Sequence, residues 1–236
     1  MTDIPTEAPA TTDATNTSAP PRDPAKRPGR AQAAQPVLEK LFELYPQLFG
    51  ANFLPLKLGI FQDLLASQPE HFQRDSLKLA LSVHTRSTRY LQCVAAGKPR
   101  HDLQGAAVEN VAPEHVYLAL LELFRRRQAR AREDLRPKFR AQLIAAFEAS
   151  GLSRQDYQAR VQTNDADATA LLEEALAEQA EKLARQEALL KAFEGSGKTL
   201  EEFTDMYGLA QRDVMAALDR KRRLGAAAAR PANPQA

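Results

Sequence analysis

The part of the chain best suited to binding an anion lies between residues 74 and 101. Six cations occur there against a single acid, Asp75, although the 236-residue chain as a whole has a net charge of only +2. The cations are Arg74, Lys78, Arg86, Arg89, Lys98 and Arg100. Because lysine and arginine neutralise negative charge, this uneven distribution predicts an anionic ligand that the net charge alone does not suggest.

Some of these cations recur at helical spacing. The apolar residues between 77 and 84 predict the inner face of a helix that begins near Arg74. If that helix continues, Tyr90 lies beside the cation four residues before it. A cationic stripe opposite an apolar face is usually just a solvated surface, so a binding role needs independent support. The stripe consists of Lys78, Ser82, Arg86 and Arg89.

Three ordered blocks of sequence supply that support. They are PLKLGIFQDL at 55–64, LKLALSVHTRSTRYLQCV at 77–94 and GKPRHDLQG at 97–105. Together they resemble the signature of the ProQ/FinO family, over roughly residues 36–110. Three blocks in the right order form a much more specific match than one short motif would.

The resemblance implies a bacterial RNA-binding protein and RNA chaperone that acts in post-transcriptional regulation. It also implies a small domain of helices with a short β-hairpin, whose concave face binds stem-loops with 3′ tails in small RNAs and at mRNA 3′ ends. Lysine and arginine suit phosphates, hydroxyls suit phosphate or sugar oxygens, and tyrosine suits a terminal nucleotide. The resemblance and the local excess of cations together give these candidate RNA-binding residues: Lys57, Lys78, Thr85, Arg86, Ser87, Arg89, Tyr90, Lys98 and Arg100.

The second block departs from the family pattern at three positions. Ser82 stands where the family commonly has arginine, His84 where it has tyrosine, and Thr88 where it has an aromatic residue. The missing cation at Ser82 should weaken the stripe, whereas Arg86 should restore charge one turn further on. We expect these departures to affect RNA affinity and preference more than the fold.

Composition and turn signals divide the chain further. Residues 1–34 have almost no large apolar side chains and residues 225–236 have none, so both segments predict disordered tails. The basic residues at 22–30 could contact RNA, but we favour a solvated linker. A ProQ/FinO-like domain is expected over 35–136, and the fold class is mainly α. Helices are predicted from Pro36 to Pro46, over 57–67, from Arg74 and from Pro113, with a hairpin centred on Gln104-Gly105.

The helix that Pro113 opens ends in a run of arginines. The run either extends an RNA-binding surface or solvates an exposed helix, and the sequence leaves both interpretations open. The arginines are Arg125, Arg126, Arg127, Arg130 and Arg132.

An internal repeat with an offset of 46 residues follows residue 138. AFEASG at 146–151 recurs as AFEGSG at 192–197. Each copy continues with a helix-capping pattern, Ser153 to Asp156 and Thr199 to Glu202, and then an aromatic residue. We expect an all-helical module over 138–224, with a long helix over 167–194 and the two copies packed against each other.

The sequence offers little for catalysis. His71, His84, His101 and His115 have no metal-ligand spacing, and no phosphate-binding glycine loop occurs, so we predict no enzymatic activity, cofactor or metal. The single cysteine, Cys93, fits a structural role in a reducing compartment. Without a signal peptide or an apolar span, the protein is expected to be cytoplasmic, with no membrane partner.

Two other functions compete with RNA binding. Residues 199–223 resemble a helix-turn-helix of a DNA-binding regulator, with Gly208 at the turn. Its cations, however, cluster at the C-terminal end of the second helix and not at the end that usually enters the groove. The repeat could also serve as a protein-interaction scaffold or a self-association module, which is compatible with RNA binding.

Overall fold

A computed structural model describes residues 29–228, so the predicted tail segments 1–28 and 229–236, with Arg22, Lys26 and Arg27, lie outside the described residues. The N-terminal elements are α1 (Arg30–Leu44), α2 (Pro46–Phe49), α3 (Ile60–Ser67), α4 (Arg74–Thr85), α5 (Thr88–Ala95), β1 (Arg100–His101), β2 (Ala107–Glu109) and α6 (Pro113–Gln128). The C-terminal elements are α7 (Arg136–Ser150), α8 (Arg154–Arg160), α9 (Ala166–Ser196), α10 (Leu200–Tyr207) and α11 (Gln211–Ala228). The predicted mainly α class is confirmed. Every helix between residues 29 and 228 is too short or too polar to cross a membrane.

The first helix starts earlier than predicted. α1 begins at Arg30 and contains Pro36 in its interior, and Ala34 is fully buried in the core. Taking Pro36 as the first helical residue was therefore wrong, as was assigning all residues up to 34 to a tail. The alanine-rich segment before Pro36 has a high helix propensity, which extends the helix in the N-terminal direction.

The second predicted helix starts later than expected. Lys57 is not helical, because its N–H donates to the His101 carbonyl at 2.9 Å and Leu56 forms a parallel bridge with His101. Gly59 then adopts a left-handed conformation, with φ of 84°, and α3 begins at Ile60. The segment 55–57 thus lies along β1, a pairing that periodicity cannot reveal.

The predicted helix from Arg74 is confirmed, but it ends before the last part of the cationic stripe. α4 stops at Thr85, and Ser87 caps a new helix, α5, by accepting a hydrogen bond from the Tyr90 N–H at 3.2 Å. Arg89 and Tyr90 therefore belong to α5. The single stripe predicted along one helix is wrong, since the chain changes direction between its third and fourth residues.

The predicted hairpin is confirmed. β1 and β2 pair antiparallel, and Gly105 has a φ of 77°, which allows the tight turn. One carboxylate oxygen of Asp102 accepts from the N–H groups of Gln104 and Ala106 at 3.0 and 2.9 Å. Asp102 therefore holds the turn.

The internal repeat exists in three dimensions. Gly151 and Gly197 end α7 and α9 with φ of 64° and 61°, and the shorter helices α8 and α10 follow. The ring of Phe147 meets that of Tyr157 at 5.2 Å and 66°, and the ring of Phe193 meets that of Phe203 at 5.3 Å and 75°. We name α7, α8 and the N-terminal half of α9 the first repeat unit, and the C-terminal half of α9, α10 and α11 the second repeat unit.

The two repeat units do not pack against each other as predicted. One continuous hydrophobic core extends from Ala34 to Leu176, so it includes the first repeat unit. The Phe124 ring of α6 stacks on the Phe139 ring of α7 with centroids 4.4 Å apart. In the second repeat unit, α10 and α11 pack on α9 and on each other. The repeated motif does not determine this packing, because the first unit contacts α6, a helix outside the repeat.

Candidate nucleic-acid interface

Three of the predicted RNA-binding residues meet at the extended segment 55–57. The Leu56 N–H donates to the Tyr90 hydroxyl at 3.1 Å, and the Leu56 carbonyl accepts from Arg100 at 2.9 Å. The next residue, Lys57, forms an ion pair with Asp63 at 2.9 Å. That carboxylate raises the pKa of Lys57, so the ammonium remains charged but is partly neutralised.

Arg100 is a buried residue and not the solvated cation that the sequence suggested. Only 8% of it is exposed. Besides the Leu56 carbonyl, it hydrogen-bonds the imidazole Nδ1 of His115 at 3.2 Å and lies 3.7 Å from a Glu109 carboxylate oxygen. Replacing it would leave buried polar groups without partners, which costs folding free energy. Arg100 thus holds the hairpin to segment 55–57.

Tyr90 is likewise a core residue. Its side chain is buried, its ring lies 5.2 Å from that of His84, and burial raises the pKa of its hydroxyl. The ring has no free face on which a base could stack, so the predicted stacking role is not supported. Its hydroxyl instead fixes the backbone at Leu56.

His84, one of the departures from the family pattern, lies in an aromatic cluster. Its ring is 4.8 Å from that of Phe49 and 4.5 Å from that of Phe53. Burial lowers the pKa of His84 to about 4, so its imidazole is neutral at neutral pH. Its Nε2 atom has no hydrogen-bond partner among residues 29–228. His84 therefore contributes to packing.

The remaining predicted cations are accessible. Lys78, Arg86 and Lys98 are exposed and form no ion pair with any residue that the structure describes. Arg89 is also exposed, and its guanidinium donates to the Ala51 carbonyl at 2.7 Å and lies 4.9 Å from the centre of the Phe53 ring. These contacts orient Arg89 without neutralising its charge.

The two predicted hydroxyls lie at the junction between α4 and α5. Thr85 donates to the Leu81 carbonyl at 2.8 Å, while Ser87 accepts from the Tyr90 N–H. Both contacts are local and leave acceptor or donor capacity unused. The junction also exposes the N-terminal end of α5, a favourable place for an anion.

The arginine run at the end of α6 divides into two roles. Arg125 forms an ion pair with Asp165 at the start of α9 and so fastens the first repeat unit. Arg126 donates to the Arg86 carbonyl at 2.8 Å and lies 3.4 Å from the Thr88 hydroxyl. Arg127, Arg130 and Arg132 are exposed. Arg126 therefore brings the arginine run into contact with the α4–α5 junction. The sequence did not indicate which arginine of the run would lie there.

Comparison with known proteins agrees with these structural observations. A family model described as "ProQ/FINO family" matches residues 31–136, a span that contains all three sequence blocks. Residues 31–136 form a ProQ/FinO-family domain. Residues 31–136 are called the ProQ/FinO domain below.

Relatives of the ProQ/FinO domain include named RNA chaperones. The RNA chaperone ProQ of Shewanella pealeana is 39% identical over 84 residues, which are 34% of this chain and 40% of that protein. The RNA chaperone ProQ of Shewanella frigidimarina is 34% identical over 125 residues, which are 50% of this chain and 62% of that protein. A solved FinO-like RNA chaperone from Neisseria meningitidis is 31% identical, with 36% of this chain and 88% of that chain covered and a TM-score of 0.34. The chain thus spans between 40% and 62% of the length of these two curated relatives.

Sequence reasoning missed two contributors to the surface of the ProQ/FinO domain. One is Arg126, whose place at the α4–α5 junction depends on how α6 crosses that junction. The other is Phe53, whose ring supports Arg89 although it lies 36 residues earlier in the chain. A run of arginines can be seen in a sequence, but the member that faces a site cannot be identified before the helices are packed.

Proposed function

We propose that this protein is an RNA-binding protein and RNA chaperone of bacterial post-transcriptional regulation. Its ProQ/FinO domain binds structured RNA, namely stem-loops with 3′ tails in small RNAs and at mRNA 3′ ends. It acts in the cytoplasm by binding and remodelling RNA, without a catalytic step or a cofactor. The observation that carries the proposal is the α4–α5 junction, where Arg126 lies against Arg86 beside the hydroxyls of Ser87 and Thr88.

The charge of this surface suits an RNA backbone. Lys78, Arg86 and Arg89 are exposed along α4 and the start of α5, and no carboxylate among the described residues pairs with them. A-form RNA hides its base edges in a deep groove, so proteins recognise duplex RNA through its shape, phosphates and 2′-hydroxyls. Cations and hydroxyls on a rigid helical junction can make such contacts.

The structure suggests different roles for the nine candidate residues. Lys78, Arg86, Arg89 and Lys98 are proposed as phosphate contacts, and Thr85 and Ser87 as hydrogen-bonding partners of phosphate or sugar oxygens. Lys57 should contribute less, because Asp63 already pairs with it. Tyr90 and Arg100 support the surface from within the domain.

Salt-dependent binding tests the proposal directly. Full-length protein would be titrated with a stem-loop RNA that carries a single-stranded 3′ tail, at several salt concentrations. Arg86→Ala and Lys78→Ala should each weaken binding and reduce the slope of log affinity against log salt by about 0.7 to 0.9, the change expected for one lost phosphate contact. Lys182→Ala, an exposed cation on the acid-rich helix α9, is the matched control and should change neither quantity.

Two outcomes would contradict the proposal. One is unchanged RNA affinity in an Arg86→Ala, Arg89→Ala double variant that still unfolds at the normal temperature. The other is preferential binding of duplex DNA over the RNA stem-loop in the same titration, which would favour the helix-turn-helix alternative over residues 199–223. Arg100→Ala is not a suitable test, because its loss of binding would accompany a loss of stability.

A further inference from the structure

Helix α6 covers part of the first repeat unit, beside α8 and the start of α9. Tyr117 of α6 is fully buried there, and its hydroxyl donates to the Ala168 carbonyl at 3.3 Å. Val161, Thr169 and Leu172 line a cavity together with this tyrosine. Val161 is only 2% exposed. The first unit therefore shares its core with a side chain from a helix outside the repeat.

The second repeat unit has no helix in the place of α6, since within residues 29–228 only α9 packs against α10 and α11 in any extended way. Adding the repeat offset of 46 to Val161 and Thr169 gives Tyr207 and Met215. Tyr207 is 58% exposed and Met215 is 45% exposed. Val161 is thus covered in the first unit, whereas its counterpart Tyr207 is exposed in the second.

The residue types make the difference significant. Where the first unit has valine and threonine at the two positions, the second has tyrosine and methionine, which are larger and bury more apolar area. Met206 is also exposed and lies on the same helix as Tyr207. An exposed cluster of this kind marks an interaction surface, and tyrosine and methionine are enriched at protein interfaces.

We propose that the exposed apolar residues of α10 and α11, namely Met206, Tyr207 and Met215 with the half-buried Leu218, form a surface that binds the same surface of a second copy of this chain. We call it the second-unit surface. A two-fold pairing of this kind requires a surface that is complementary to itself. The second repeat unit has that property in its charges as well as in its apolar residues.

The two helices that bear the second-unit surface carry net charges of opposite sign. The charged residues of α10 are all acidic and exposed, namely Glu201, Glu202 and Asp205. On α11, Asp219 and Arg222 share the face of Met215 and pair with each other at 2.7 Å, and the exposed cations Lys221 and Arg223 lie beside them. A two-fold axis through the surface would place the acidic helix of one copy against the basic helix of the other. The acidic helix also makes RNA a poor occupant.

Sedimentation equilibrium of the full-length protein without RNA tests this inference. The wild-type mass should rise from one chain toward two as concentration increases. Tyr207→Glu should raise the dimer dissociation constant by about 30-fold or more, the effect typical of removing a central aromatic anchor. Because Tyr207 is mostly exposed within one chain, the substitution should leave helical circular dichroism unchanged. Leu118→Glu, which changes an apolar residue of α6 that is 52% exposed, is the control and should not affect association.

A charge-reversal variant gives a second test of the inference. Arg222→Glu should weaken association and remove most of its salt dependence. A single-chain mass at every concentration, or a Tyr207→Glu dissociation constant within twofold of wild type, would overturn the inference. A Tyr207→Glu variant of unchanged mass that loses RNA affinity would overturn it too, since the second-unit surface would then bind RNA. Self-association is measured without RNA, so this inference can fail while the proposed RNA-binding function stands, and the reverse also holds.

Discussion

The two repeat units share their local structure and differ in their neighbours. Both have a left-handed glycine, a capped short helix and a pair of perpendicular rings, at positions related by an offset of 46 residues. The first unit nevertheless merges with the core of the ProQ/FinO domain, whereas the second buries only its own residues. A repeated motif therefore determines how a segment turns and caps, while the elements beside it determine how much of it is buried.

The long helix α9 shows where the difference arises. Its buried residues are Ala168, Leu172, Ala175 and Leu176, all in its N-terminal half. From residue 177 to the end of the helix at Ser196, no side chain is fully buried. The two units are thus two apolar clusters joined by one continuous helix. We expect them to unfold in two transitions, the larger belonging to the ProQ/FinO domain together with the first unit.

Truncation should give the largest effect. A chain ending at residue 136 loses the first repeat unit and exposes Tyr117 and Phe124 of α6, so its main thermal transition should fall by more than about 10 °C. A chain ending at residue 181 keeps that unit, and its main transition should move by less than about 2 °C. Calorimetry of the two truncated chains makes the comparison. Equal melting temperatures would show that α6 does not depend on the repeat.

Matched core substitutions should separate the two transitions. Tyr157 and Phe203 occupy equivalent positions and are both essentially inaccessible to solvent. Replacing either with alanine should cost about 3 to 5 kcal/mol. Tyr157→Ala should lower the transition of the ProQ/FinO domain, whereas Phe203→Ala should abolish only the smaller transition. If both variants lower the same transition equally, the chain folds as one cooperative unit.

As the pH falls, the ProQ/FinO domain with the first unit should lose stability before the second unit does. His84 has a pKa of about 4 when folded and 6.5 when unfolded, so the unfolded chain binds more protons between these values. Stability of the larger transition should therefore fall as pH falls from 6.5 to 4, by up to about 3 kcal/mol. The capping hydrogen bonds from Thr199 lower the pKa of Glu202 in the second unit, and that contribution is lost only below its ordinary value of 4.5. His84→Phe should flatten the first effect in urea titrations at several pH values.

The smallest effect should come from the two turn glycines. Gly151 and Gly197 have positive φ angles and open space where a Cβ would lie, so alanine brings backbone strain without a clash. Each substitution should cost roughly 1 kcal/mol. Gly151→Ala should appear in the larger transition and Gly197→Ala in the smaller one. Costs that differ by more than about twofold would show that the turns are not equivalent.

Much of the fold could be predicted from the sequence because its signals are local. The starts of α4 and α6, the Gly105 hairpin and the capped turns of the repeat all follow from residue types at fixed spacing. The family resemblance was confirmed for the same reason, since its three blocks are contiguous in the chain. Errors occurred where the outcome depended on long-range packing.

The candidate site shows this limit most clearly. Arg100 looks like Lys98 in the sequence, yet one is buried between Leu56 and His115 and the other is exposed. Nothing in the local pattern shows that segment 55–57 will lie along β1 and cover the guanidinium. The same pairing places the Tyr90 hydroxyl on the backbone. Predicting the role of a cation therefore requires knowledge of which strands will close over it.

Helix α9 has a consequence for how many RNA molecules an associated pair of chains could hold. Of its 31 residues, those from 177 to 196 lie beyond the core that α9 shares with the ProQ/FinO domain, a length of about 30 Å at 1.5 Å per residue. This exposed half is braced by ion pairs such as Arg185 with Glu181 and Lys191 with Glu187. In a pair joined through the second units, two such helices would keep the ProQ/FinO domains apart, which the proposed function makes the RNA-binding parts of the chain. Bivalent binding would then depend on the length of the RNA, because only an RNA long enough to span both helices could contact the two domains at once.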